Sequence, residues 1–228
     1  MVIQGRARSA EAKTARRAQI LEQARHLLAT TRYPALTLAD IASRVGLTKP
    51  ALFAYFTSKE ELFLELYESL LLGWLDALEK HLRLGGIHTP HSLATLVTSL
   101  NAEHPDLLRL IPLLAGLLEH NVTAARALHH KRWLAQRLQP IIPLLEQVLP
   151  GLPAGGGLRL LTYTQALIAG LQPMSEPAVA VREALTEGGL QALHVDLFTA
   201  LQDSLEALYQ GLSTQAETTL PVAQHERH

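Results

Sequence analysis

Cysteine is absent from the 228 residues, which excludes disulfides, a thiol nucleophile and cysteine-ligated zinc. The opening MVIQGRARSA lacks the apolar core of a secretory signal. The longest run free of Asp, Glu, Lys, Arg and His, Leu160 to Ser175, is 16 residues and contains Gly170 and Pro173. A membrane span needs roughly 20 apolar residues, so no membrane partner is expected and the expected compartment is the cytoplasm. Strand-like alternation and internal repeats are missing as well. So are the motifs of the common enzymes: no G-x-S-x-G elbow, no H-E-x-x-H, and no Glu-x-x-His pair of a di-iron bundle. An enzyme is not expected, and neither a catalytic residue nor a cofactor can be named. What is present, 48% apolar and 18% charged residues, describes a chain able to bury a core in one or two domains.

The net charge of −1 hides an asymmetry. Residues 1–60 hold ten Lys or Arg against four Asp or Glu, so that end carries +6 while the remainder carries −7. A basic head attracts phosphate and an acidic body stays off it. A solvated N-terminal arm would show the same charge.

Helical periodicity runs through most of the chain. Ile20, Ala24, Leu27 and Leu28 follow i, i+4, i+7, i+8, predicting a first helix from about Glu11 to Thr31. Leu38, Ile41, Ala42 and Val45 predict a short second helix, with Thr37 and Asp40 as a capping box and Gly46 as its stop. A third begins after Thr48, with Leu52 and Phe56 facing inward. Ser58-Lys-Glu-Glu61 reads as another capping box, opening a long helix to about Leu84. A helix from about Thr123 must break near Pro140 and Pro143. Helices near 158–171 and 194–211 follow, separated by a Pro/Gly-marked link from Gln172 to Gly189. The tail after Gly211 is polar and without periodicity.

Two short helices joined by Val45-Gly-Leu-Thr48 make a helix-turn-helix. Gly46 suits a turn that needs positive φ, and Thr48 caps the helix that follows. Lys49 and Phe53 share one face of that helix and Leu52 and Phe56 the other, so its free end can enter a major groove.

The run LTLADIASRVGLTKPALFAYFTSKEEL, Leu36 to Leu62, resembles the N-terminal signature of the tetracycline-repressor (TetR/AcrR) family. Thr37, Ile41-Ala42, Gly46, Thr48-Lys49, Leu52, Phe53-x-Tyr55-Phe56 and Ser58-Lys-Glu-Glu-Leu62 stand in the family's order. The strong match covers about residues 11–65. The resemblance implies an all-α protein: a three-helix head with the helix-turn-helix over 1–57, then a helical effector-binding and dimerising body over 58–228. It implies a repressor-type regulator that binds an inverted-repeat operator in double-stranded DNA as a homodimer and is released by a small, mostly apolar effector. An architectural DNA-binding protein without an effector is the alternative, although such a protein needs no 170-residue body.

Roles follow at matching positions. Thr37 would meet the phosphate backbone, Thr48, Lys49 and Pro50 would approach backbone and base edges, and Lys59 would hold a phosphate. Phe53 replaces the usual Tyr and keeps only apolar contact, and Tyr55 stands where His or Tyr is usual. Pro50 replaces the commoner Gly and lacks an N–H. Lys49 is the one obvious reader of guanine. Arg6, Arg8, Lys13, Arg16 and Arg17 could line the backbone or minor groove. Each residue also has a structural reading: Thr37 can simply cap and Tyr55 simply pack, whereas nothing in the fold is expected to need Lys49 or Lys59.

The body is less legible. By the resemblance its last two helices pair across a twofold axis, with stripes of Tyr163, Leu167 and Leu171, then Leu197, Leu201, Leu205 and Leu208, which could equally be monomer core. Candidate effector contacts are Trp74, Glu119, His120, Trp133 and Tyr163, with Asn101 beside them, and each could equally be structural. Ten of the eleven histidines lie beyond residue 60, but His129 and His130 diverge by about 100° on a helix, and no metal site is expected.

Overall fold

The computed structural model describes the backbone of residues 2–214 and the side chains of 11–214. Eleven α-helices and no strand occur among the described residues: α1 (Val2–Thr30), α2 (Leu38–Arg44), α3 (Lys49–Phe53), α4 (Lys59–Leu84), α5 (Pro90–Glu103), α6 (Pro105–Leu113), α7 (Ala124–Leu138), α8 (Ile141–Val148), α9 (Gly156–Ser175), α10 (Val179–Glu187) and α11 (Leu197–Thr214). The fold is all-α, as the sequence implies. No helix among the described residues is long and apolar enough to cross a membrane.

The chain forms two compact units, each drawn from two stretches. The first holds residues up to Gly73 together with His104–Trp133, and the second holds Trp74–Glu103 together with the chain from Leu134. The division falls inside α4 and inside α7, both unbroken helices.

In the first unit the predicted inward faces are buried: Ile20, Ala24, Leu27 and Leu28 on α1, Leu38, Ile41 and Ala42 on α2, and Leu52 with Phe56 at α3. α1 packs on α2 and α6, and α2 on α3. Gly46 turns the chain between α2 and α3 at φ 65°, and a Cβ there would meet nothing within 4 Å. The demand for glycine is therefore conformational. The box at Thr37 is complete, each partner bonding the other's backbone N–H. That at Ser58 is only half formed: Ser58 accepts from Glu61 N (3.0 Å), but the Glu61 carboxylate reaches past it to Thr57 N (2.7 Å) and Thr57 Oγ1 (2.5 Å).

The second unit is held by α11, which packs against α5 and α9, while α8 packs on α9. α8 and α9 approach so closely that a Cβ on Gly157 would lie 2.6 Å from the Ile142 carbonyl oxygen. Two expectations are corrected here. Leu201 and Leu205 are 0% exposed within the single chain, so they are core of their own unit and not a seam open to a partner. The stretch from Gln172 to Gly189 is not a mere link. α9 runs over Pro173 to Ser175, because proline in a last turn costs only one backbone hydrogen bond, and α10 follows with none of its residues buried. The break near Pro140 is where the prolines predict it, α8 starting at Ile141. α11 continues to Thr214, and the rest of the polar tail lies outside the described residues.

Candidate nucleic-acid interface

α3 has five residues, too few to hold a helical shape unaided. Its geometry is imposed at both ends. At the start, Thr48 Oγ1 accepts from Ala51 N (3.3 Å), leaving the hydroxyl proton free to donate outward. On the inner side Leu52 and Phe56 are fully buried; on the outer side Thr48, Lys49 and Pro50 are exposed and Phe53 is 44% exposed. Lys49 has no partner among the described residues. The outer face is thus one cation, one hydroxyl and two apolar surfaces, as the sequence spacing predicts.

Thr37 is more committed. Its hydroxyl donates to Asp40 Oδ2 (2.6 Å) while accepting from Asp40 N (3.2 Å), and its own N–H donates to the same carboxylate (2.9 Å). These hydrogen bonds, the side-chain one first, hold the Asp40 carboxyl below its ordinary value.

Lys59 corrects the expectation that the fold has no use for it. Its Nζ donates to the carbonyls of Tyr33 and Leu36, both at 2.9 Å, and lies 4.0 Å from the centroid of the Tyr33 ring. Two of three ammonium protons therefore fasten the start of α4 to the α1–α2 connection, and the third remains. Burial lowers the lysine's affinity for its proton, with the charge of Glu60 opposing. Tyr33 itself is buried, stands edge-on to Phe63 at 5.0 Å, and donates to Glu60 Oε1 (3.2 Å).

The basic arm divides. The side chains of Arg6 and Arg8 lie outside the described residues. Lys13 is exposed, and Arg16 Nη1 donates to Gln19 Oε1 (3.0 Å). Arg17 turns inward: Nε meets Glu65 Oε1 at 2.6 Å, Nη2 pairs with Glu65 Oε2, and Nη1 donates to the Tyr55 carbonyl at 2.5 Å. The guanidinium lies 4.1 Å from the centroid of the Phe56 ring. Tyr55 is half-buried, and its carbonyl takes the arginine.

Around α4 and α7 the first unit holds a second ionic group. Glu68 accepts a fork from Arg126 (2.9 and 2.8 Å) and a hydrogen bond from His130 Nδ1 (2.9 Å). Because an ionised carboxylate can only accept, Nδ1 carries the proton. Burial pushes the Glu68 carboxyl up, but the hydrogen bonds from His130 and Arg126 together prevail and leave it below its ordinary value. His130 is fully buried; its Nε2 has no hydrogen-bond partner and stands 3.5 Å from Glu119 Oε1, which Lys131 engages at 2.5 Å. Trp133 stacks on the His130 ring (6.0 Å) and Tyr67 meets it edge-on (6.1 Å).

Of the candidate effector contacts, then, Glu119 and Trp133 meet at His130, while His120 is exposed. Trp74, in the second unit, is 5% exposed with its Nε1 unpartnered among the described residues, and Tyr163 is 44% exposed on α9. Asn101 is buried and spends its amide on the Val97 carbonyl (2.8 Å). Glu65, Glu68 and Arg126 carry no motif in the sequence, and His130 enters it only beside His129; the hydrogen-bond partners that give these four their place lie 48 to 62 residues away.

Residues 20–66 match the family of bacterial regulatory proteins, tetR family, and residues 68–216 match the tetracyclin repressor-like C-terminal domain. Among solved structures the chain is similar to a protein of Mesorhizobium loti assigned to the TetR family of transcriptional regulators. The identity is 18%, the TM-score 0.46, and the alignment covers 88% of this chain and 96% of that one. No curated protein matches. The two matched regions account for nearly the whole described chain, and the protein belongs to the TetR family: it is a transcriptional regulator with a DNA-binding helix-turn-helix.

Proposed function

We propose that the protein binds an inverted-repeat operator as a homodimer, reads it with α3, and is released by a small, mostly apolar effector. The observation that carries the reading is the outer face of α3, where Thr48, Lys49, Pro50 and Phe53 are exposed over buried Leu52 and Phe56. Lys49 would take a guanine edge, and Phe53 a sugar or thymine methyl. Thr48, with its free hydroxyl proton, and Lys59, with its third, would take phosphates. Thr37 and Tyr55 would contribute from the rim, Thr37 only by releasing Asp40. Selection from random duplexes tests this: a preferred inverted repeat, with half-sites spaced for recognition helices about 34–36 Å apart or a multiple of that, is expected. Recovery of no preferred sequence at moderate salt would overturn it.

The exposure of Leu158, Thr162, Tyr163, Ala166, Gly170 and Met174 in one stripe supports a dimer seam on the open side of α9. Arginine at Leu158 or Tyr163 should give a folded monomer by sedimentation. Effector release needs differential affinity, since a ligand that binds both forms equally releases nothing. A 100-fold release requires about 2.7 kcal/mol. Trp74 supports a ligand site because its buried N–H lacks a partner, a donor that an acceptor on a ligand would satisfy. Operator DNA must then weaken effector binding by the same factor, which titration with and without saturating duplex measures.

A further inference from the structure

We infer that Arg17, with Glu65, is a positioning residue for the recognition helix and not a phosphate contact. The inference rests on α3 being the helix that reads DNA.

The exit of α3 is a single turn, held by backbone hydrogen bonds from Ala54 N to the Ala51 carbonyl (3.3 Å) and from Tyr55 N and Phe56 N to the Leu52 carbonyl (2.9 and 3.2 Å), so a contact on the Tyr55 carbonyl decides how that turn meets the neighbouring helices. The chain leaves α3 through Ala54 and Tyr55. At that exit the Tyr55 carbonyl receives Arg17 Nη1 at 2.5 Å. The same guanidinium covers the ring of Phe56, the buried anchor that follows, and forks onto Glu65 of α4. One planar group therefore joins α1, the exit of α3 and α4. Each contact uses a different edge or face of the guanidinium, and three such directions at once are within reach of arginine but not of lysine, a compact point charge.

Charge points the same way. Arg17 lies in the basic segment and reads in the sequence as part of a DNA-facing arm. In the structure its cation is matched by the Glu65 carboxylate, so the pair carries no net charge. A neutral pair releases no counterions on binding DNA and adds nothing to the salt dependence of affinity. A phosphate contact does the opposite. The two roles thus predict different results for the same substitutions, and for Glu65→Gln they predict opposite signs.

The test compares wild type, Arg17→Lys and Glu65→Gln on the duplex selected by wild type and on an unselected duplex of equal length, across several salt concentrations. Amide hydrogen exchange of the DNA-free proteins is followed alongside. Both variants are expected to lose about tenfold or more in affinity for the selected duplex, comparable to one misplaced base contact. Their binding to the unselected duplex and their salt slope should stay at wild-type values, and exchange over residues 48–57 should quicken while α1 and α4 stay protected. The charge-reversed pair, Arg17→Glu with Glu65→Arg, restores an α1–α4 ion pair but no donor for the Tyr55 carbonyl. It should regain thermal stability and remain weak on the selected duplex. The inference is overturned by Arg17→Lys equal to wild type on both duplexes, by Glu65→Gln binding all DNA more tightly with a slope steeper by about one, or by recovery of selected-duplex affinity by the reversed pair. Altered exchange over residues 48–57 with unchanged DNA preference would also overturn it.

Discussion

The two compact units are stabilised by different means. The first cross-links its helices with charge: Arg17 to Glu65, Arg25 to Asp106 (2.8 Å), and Arg126 with His130 to Glu68, each pair joining separate helices. In the second, the described pairs are solvent-facing, Arg83 with Glu79 and His91 with Glu206. Its centre is Leu201, Leu205, Tyr209 and Leu212 of α11, with a buried hydrogen bond between the Thr164 and Tyr209 hydroxyls (2.9 Å). The contrast follows from what each surface must do. The α2–α3 segment has to leave its outer face polar, so its short helices cannot bury apolar area on all sides. The ion pairs of this unit tie together the longer helices around that segment, α1 with α4 and α6, and α4 with α7. α11 is long and amphipathic, and its position follows from burial alone.

The comparison breaks most visibly in the second unit. Leu205→Glu should unfold it, at a cost of about 4 kcal/mol or more for a charge placed in a core, seen as lost helicity and a lowered denaturation midpoint. A stable, folded monomer would mean that α11 faces a partner instead. Next in size is Glu68→Ala, which strands the Arg126 guanidinium and the His130 Nδ1–H where little water reaches. A loss of about 3 kcal/mol is expected, followed through Trp133 emission in a Trp74→Phe background, since Trp133 stacks on His130.

Acid should sharpen the contrast with a smaller effect. The folded-state value of Glu68 lies below its ordinary 4.5. Its contribution is therefore complete above pH 4.5 and is lost as pH falls through the lowered value. Trp133 emission should follow that loss, and Glu68→Gln should remove this part of the acid dependence. Smallest of all, Gly46→Ala should cost about 1 kcal/mol, the strain of a left-handed alanine, because open space around the position leaves no clash to add. A cost several times larger in thermal denaturation would point to a packing role for Gly46.

Local chemistry was enough to write down α2, the turn and α3 in advance. Thr37 with Asp40, Gly46 at positive φ and Thr48 before Lys49-Pro50 each act on residues no more than four away, so their geometry is set by covalent proximity and capping. The same holds for the inward faces, where Leu52 and Phe56 are buried as their spacing requires. Charge at long range was illegible. Arg17 and Lys59 look like free cations in a basic segment, and only the packed helices bring Glu65, the Tyr55 carbonyl and the carbonyls of Tyr33 and Leu36 within reach of them.

The same limit applies to α9 and α11. Their amphipathic stripes are evident from periodicity, but an apolar stripe does not say whether its partner is the same chain or another. The sequence by itself determined α2, α3, the cap at Thr37 and the outer face of the helix-turn-helix, because those depend on neighbours in the chain. Tertiary structure alone decided which cations are spent inside the protein and that Leu201 and Leu205 belong to its own core, because burial and ion pairing depend on groups that only folding brings together.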